Sequence, residues 1–109
     1  MIEHRYTLQN GATATGVGNV ANTIGHAGAA LQVSGTFVGT ITWQATVDGA
    51  NWVAVRATNL TSGTQATTAT AAGIYFIPVA GLAGIRANIT AYTSGTITVT
   101  THVSEAAWQ

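Results

Sequence analysis

Two stretches of this chain alternate between apolar and polar residues with a period of two. Successive side chains of a β-strand point to opposite faces, so this alternation is typical of a strand with one buried and one solvated face. The inward sets are Ile41, Trp43, Ala45 and Val47 in residues 40–47, and Ile97, Val99, Thr101 and Val103 in residues 96–103. We expect both stretches to be strands of antiparallel sheets with these side chains in the core.

Shorter apolar runs, separated by turns that contain glycine, extend this pattern along the chain. Strands are expected at residues 31–37, 52–58, 74–79 and 85–92, with weaker ones at 2–8, 16–21 and 65–70. Asp48-Gly49-Ala50-Asn51 has the chemistry of a hairpin turn, and Thr93-Ser94-Gly95 is typical of a three-residue hairpin loop. The pattern predicts an all-β fold: an antiparallel, jelly-roll-like β-sandwich of about eight strands. No break in composition divides the chain, so we expect one domain over residues 1–109.

Charge is scarce in this sequence. Six of the 109 residues are charged, three of each sign, and none is lysine. Soluble domains usually have about a quarter of their residues charged, and a net charge near zero favours association. Sheet edges are commonly protected by lysine or proline, and this chain has only Pro78. Either the sheet closes on itself or a partner covers its edges; we expect a homo-oligomer, and a trimer in particular.

The sequence contains no pattern typical of a catalytic, metal or cofactor site. Cysteine is absent, no serine lies in a nucleophile elbow, and no glycine-rich phosphate loop is present. The histidines and acids do not cluster in sequence; they are His4, His26, His102, Glu3, Asp48 and Glu105. Three separated arginines do not indicate nucleic-acid binding. Residues 1–10 lack the apolar region of a secretory signal, and the apolar runs are too short to cross a bilayer.

The three tryptophans invite different interpretations. Trp43 shares the apolar face of its strand, which predicts a place in the core. Trp52 follows the Asp48 turn, and it either caps the core or stacks on a sugar ring, with Asp48 and Asn51 supplying polar contacts. Trp108 follows every expected strand, so it docks either on its own subunit or on a neighbour.

The two ends of the chain are the expected partner interface. Residues 1–10 are expected to form an N-terminal arm and residues 105–109 a C-terminal tail. The residues expected to contact a partner are Ile2, His4, Arg5, Tyr6 and Trp108.

The order of motifs in residues 35–103 is similar to that of a known group of proteins. Gly-Thr-Phe-Val-Gly-Thr-Ile-Thr begins at Gly35, Val-Asp-Gly-Ala-Asn-Trp at Val47, and Ala-Tyr-Thr-Ser-Gly-Thr-Ile-Thr-Val-Thr at Ala91. This order resembles the small β-sandwich proteins and modules of tailed-bacteriophage virions. The Asp-Gly-x-Asn-Trp element also resembles carbohydrate-binding sandwiches.

The resemblance implies a noncatalytic virion protein. The preferred expectation is a capsid decoration protein on the outer capsid surface, assembled in the host cytoplasm, that binds across subunits of the major capsid protein. The alternative is a tail or baseplate module that binds a host glycan through Asp48, Asn51 and Trp52. A cellular polysaccharide-binding domain is a third interpretation, disfavoured by the lack of a secretory signal.

Overall fold

The computed structural model describes the backbone of residues 4–104 and the side chains of residues 5–104. All the regular secondary structure in this range is β, and two antiparallel sheets form a sandwich, which confirms the predicted all-β class and antiparallel β-sandwich. The strands are β1 His4–Ala12, β2 Ala21–Asn22, β3 Gly28–Ser34, β4 Phe37–Thr46, β5 Val53–Ala54, β6 Ala57–Asn59, β7 Gln65–Ala66, β8 Thr68–Ala69, β9 Gly73–Pro78, β10 Gly84–Gly95 and β11 Ile97–Ser104. None of residues 4–104 lies in a helix that could span a membrane.

The first sheet has six strands in the order β1-β11-β3-β9-β6-β7. The second sheet has the order β2-β10-β4-β5, and β8 pairs with β4 beside β5. All of these pairs are antiparallel. The strands at residues 4–12 and 97–104 are neighbours, so the segment expected as an N-terminal arm is largely an edge strand of the first sheet.

The core lies between the inner faces of the two sheets, as the alternation predicted. In β11 the inward set is fully buried, and the hydroxyl of Thr101 donates a hydrogen bond to the carbonyl oxygen of Ala30 at 3.0 Å. In β4 the fully buried Trp43 packs against Tyr75 of the first sheet, with ring centroids 5.3 Å apart. Aromatic contacts of this kind join the two sheets.

Val47 departs from this pattern. The alternation places it in the core, but it is 72% exposed. The reason is that β4 ends at Thr46, where the chain turns into the Asp48 loop. Thr46 is buried in its place, and its hydroxyl takes part in the hydrogen bonds of that turn.

Two glycines mark corners where the chain passes from one sheet to the other. Gly35, between β3 and β4, has φ of 108°, and Gly95, the last residue of β10, has φ of 91°. These positive φ values favour glycine. The corners also touch, because the amide of Thr96 donates a hydrogen bond to the carbonyl oxygen of Thr36 at 3.1 Å. A Cβ on Gly95 would lie 2.6 Å from Cα of Phe37 and still closer to the Thr36 carbonyl.

These corners correct two expectations. Residues 31–37 are not one strand, because β3 ends at Ser34 and β4 begins at Phe37 in the other sheet. Residues 93–95 are not a hairpin loop, because they belong to β10, and β11 follows in the opposite sheet.

Two other expected strands are divided between the sheets. Residues 52–58 contain β5 in the second sheet and β6 in the first, with a crossing at Val55 and Arg56. Residues 65–70 likewise contain β7 and β8 in different sheets. Of residues 16–21, Gly16 forms an isolated bridge with Ile89 and Ala21 begins β2.

The sheet edges are protected in ways that composition does not reveal. The edge strands β2, β5 and β7 have two residues each, and short edge strands limit pairing with other chains. β1 is long, but its register shifts twice between Thr7 and Ala12. Asn19 also covers part of β1: its backbone amide donates to the Leu8 carbonyl at 2.9 Å, and its side-chain amide donates to the Thr7 carbonyl at 3.0 Å.

Candidate functional site

The Asp48 loop is a tightly hydrogen-bonded turn. One carboxylate oxygen of Asp48 accepts hydrogen bonds from the amides of Ala50 and Asn51, both at 2.8 Å, and from the Thr46 hydroxyl at 3.0 Å. The other oxygen accepts from the side-chain amide of Asn51 at 2.8 Å. Four donors match the roughly four acceptor positions of a carboxylate. The donors, those of Asn51 first, hold the pKa of the Asp48 carboxyl well below its usual range.

Trp52 lies on the outer face of the second sheet. The guanidinium carbon of Arg86 lies 4.3 Å from the centre of the Trp52 ring, within the range of a cation–π interaction. The ring also packs near Gly84: a Cβ at that position would lie 3.5 Å from the ring and 3.0 Å from Val20. Trp52 is therefore half-buried against β10, and one face of its ring is covered by Arg86.

Arg86 is fixed by a second contact. Its Nε donates a hydrogen bond to the side-chain oxygen of Gln44 on β4 at 2.8 Å, and Asn88 donates to the same oxygen at 3.5 Å. The register pairs Arg86 with Gln44 and Asn88 with Thr42. Further along this face, the hydroxyls of Thr42 and Thr90 are 3.0 Å apart. These side chains form a polar row on the outer face of the second sheet, called here the Arg86 row: Thr42, Gln44, Arg86, Asn88 and Thr90.

The three residues expected for a glycan site are not combined in one arrangement. Asp48 and Asn51 bind each other within the turn, whereas Trp52 packs on Arg86. The acceptor positions of Asp48 are occupied by its own loop, and a sugar cannot stack on the ring face that Arg86 covers.

An apolar cleft lies beside the turn at one end of the sandwich, with a volume of about 310 Å³. Val47 and Val53 are mostly exposed there, and Val55 and Leu82 are half-buried. Asp48 and Asn51 form its polar rim. The cleft has the apolar centre and polar border that are common in protein–protein interfaces.

The residues expected at a partner interface have different positions. Arg5 is exposed on β1, opposite His102 of β11, while Tyr6 is half-buried against the core. The backbone of His4 pairs with Val103. Ile2 and Trp108 lie outside the described residues.

Metal ligands do not gather in the described part of the chain. No group of three or more histidines or acids there could hold a metal ion. His102 is exposed on β11, and His26 is half-buried in the loop before β3.

Sequence alone does not single out the Arg86 row. The only local sign of it is an arginine at a polar position of an expected strand, and the sequence does not show which strand pairs with it. Arg86 and Gln44 are far apart in sequence, and they become neighbours only through the register between β10 and β4. The spacing of residues along the chain does not reveal that register.

Comparison with solved structures places this fold beside those of two phage-related proteins. The crystal structure of SPBc2 prophage-derived protein YomS matches with a TM-score of 0.85 and 17% identity, over 94% of both chains. That of PBSX exported protein XepA matches with a TM-score of 0.89 and 17% identity, over 94% of this chain but 37% of the other. No known family and no curated protein matches the sequence.

Proposed function

We propose that this chain is a noncatalytic structural protein of a tailed-phage virion, placed on the outer capsid surface, where it stabilises the shell by binding across subunits of the major capsid protein. The observation that carries the proposal is the fold shared with the SPBc2 prophage-derived protein over 94% of both chains. The motif order in residues 35–103 independently resembles virion β-sandwiches.

The described surface supports a role in association. An apolar cleft is exposed between Val47 and Leu82. The few charged side chains impose little electrostatic repulsion on a partner. A protein that binds only the assembled shell stabilises that shell by mass action. Strand β1, with Arg5 exposed, and the two ends of the chain are the proposed contacts.

The alternative is glycan binding at the tail or baseplate through Asp48, Asn51 and Trp52. The hydrogen bonds that occupy Asp48 and the Arg86 side chain that covers Trp52 argue against that particular site. The capsid role is therefore preferred.

Gold-labelled antibody against this chain, applied to gradient-purified virions, tests the location. We expect label distributed over the heads, and heads from a phage lacking the gene should release DNA at a lower temperature than complete heads. Virions from the deleted phage are the control for the antibody. Label confined to the tail tip would support the alternative, and purified virions without label would contradict both.

A further inference from the structure

We propose that the Arg86 row binds an acidic saccharide, with the guanidinium of Arg86 holding a carboxylate or phosphate oxyanion of the ligand. This proposal goes beyond the structural role in the virion, and it uses a different surface from the apolar cleft.

The Arg86 side chain is already ordered before a ligand binds. The Trp52 ring supports the guanidinium at 4.3 Å, and Gln44 fixes Nε at 2.8 Å. Immobilising a long side chain is one of the costs of binding, and these two contacts reduce that cost before a ligand arrives. Because Nε is occupied, the two terminal nitrogens of the guanidinium remain to hold an oxyanion in a forked arrangement.

Arg86 also has no carboxylate partner in residues 4–104. Asp48 is the one acid in that range, and its four hydrogen bonds lie within its own turn. The contacts of Arg86 there are with Gln44 and Trp52, which are both neutral. Within these residues Arg86 is therefore an ordered cation without a counter-charge, which makes it an attractive position for an anion.

The side chains beside Arg86 carry groups that suit a saccharide. Asn88, Thr42 and Thr90 continue the row with amide and hydroxyl groups, and the Thr42 and Thr90 hydroxyls are exposed. Protein interface cores are usually apolar and rich in aromatic residues. A row of hydroxyl and amide groups instead matches the hydroxyls of a sugar chain, so the favoured ligand is a saccharide that carries an acidic group.

Calorimetry with the full chain tests the proposal, using a hexamer of β-1,4-linked glucuronic acid as the probe. Cellohexaose is the neutral probe, because it has the same linkage and carries a hydroxymethyl group in place of each carboxylate. We expect the acidic hexamer to bind about tenfold or more tightly than cellohexaose, the size of effect expected from one charge-assisted contact. Fluorescence should change as well, because Trp52 contacts Arg86.

Variants identify the residue responsible. Arg86→Gln should lose about tenfold or more in affinity, and Arg86→Lys should fall between Arg86→Gln and wild type, because it keeps the charge but loses the fork. Arg56→Gln is the matched control, since Arg56 is an exposed arginine outside the row. Unfolding curves for each variant should show that the fold is intact.

Several outcomes would overturn the proposal. These are equal binding of the two hexamers, equal losses in Arg86→Gln and Arg56→Gln, or no binding of the acidic hexamer. Binding only to vesicles containing phosphatidylglycerol would also overturn it, because the ligand would then be a lipid surface. An effect of inorganic phosphate as a competitor of the acidic hexamer would support the oxyanion contact.

Discussion

Trp43 is the largest fully buried side chain of the core, yet its indole N–H has no hydrogen-bond acceptor within the described residues. A buried donor without a partner is destabilising, whereas the ring itself contributes extensive apolar contacts. The packing of the Trp43 ring therefore raises the stability of the fold, whereas its unpaired N–H lowers it.

We expect Trp43→Ala to lower the free energy of unfolding by about 3–5 kcal/mol, because it leaves a large cavity between the sheets. Trp43→Phe should cost less than half as much, since it keeps an aromatic ring against Tyr75 and removes the unpaired donor. Denaturant unfolding followed by circular dichroism measures both values. Equal destabilisation of the two variants would contradict the prediction, because it would mean that a phenyl ring restores none of the packing against Tyr75.

Asp48 makes stability depend on pH. Its pKa is lowered in the folded state by the donors of its turn, so its contribution is fully present above the unfolded value of about 3.9. The contribution is lost as the pH falls toward the folded pKa, because protonation weakens the hydrogen bonds that Asp48 accepts.

We expect wild type to be more stable than Asp48→Asn above about pH 5, and the difference to shrink below about pH 4. Unfolding midpoints measured from pH 3 to pH 7 test this. The effects of the other acids on the pH dependence cancel in the difference, because both proteins contain them. A difference that stays constant over this range would show that the turn, rather than the charge, is responsible.

At the scale of the elements, the touching corners at Gly35 and Gly95 decide how the sheets are connected. Both glycines have positive φ, and the backbone of one corner fills the space beside the other. The corners therefore couple the β3–β4 crossing to the β10–β11 crossing.

Gly95→Ala should destabilise the protein by about 3 kcal/mol or more, because a strained φ and a backbone clash occur together. Gly25→Ala is the control: Gly25 has φ of 82° with open space around its Cβ position, so only the conformational strain, about 1–2 kcal/mol, applies. Thermal unfolding of the two variants measures the difference. Equal losses of stability in the two variants would mean that the backbone at the Gly95 corner can shift to admit a methyl group.

The alternation in residues 40–47 and 96–103 was sufficient to predict the fold class and most of the core on β4 and β11. Alternation describes which way side chains point, but it does not say which sheet a strand joins. For this reason alternation alone joins residues 31–37, and likewise residues 52–58, into one strand, although each range crosses from one sheet to the other.

The candidate sites are likewise predictable from the sequence only where their contacts are local. The Asp48 turn was predictable because its hydrogen bonds are local, whereas the contact of Arg86 with Gln44 depends on a register between distant strands.

At the scale of the whole molecule, association remains a prediction from composition. Short edge strands and Asn19 already protect much of the sheet edges, so the edges alone do not require a partner. The scarcity of charge and the exposed apolar cleft still favour one.

We expect the purified protein to be a homotrimer, and Trp108→Ala to weaken the association by about 2 kcal/mol or more if the tryptophan anchors a neighbour. The unfolding of an isolated subunit should remain nearly unchanged. Light scattering over a concentration series tests both statements, with Gln109→Ala as the control within the same tail. A wild-type protein that stays monomeric at high micromolar concentration would contradict the prediction.

The pairing of His4 with Val103 has a consequence for how this domain can be connected to others. The chain starts its first strand and finishes its last strand in adjacent positions of one sheet, separated by about 5 Å. A host protein could therefore carry this domain within a surface loop without stretching either strand, because the two connections need almost no separation. The same proximity would let a short linker join the two strands in a circular permutant, with new termini opened in the exposed turn at residues 61–63.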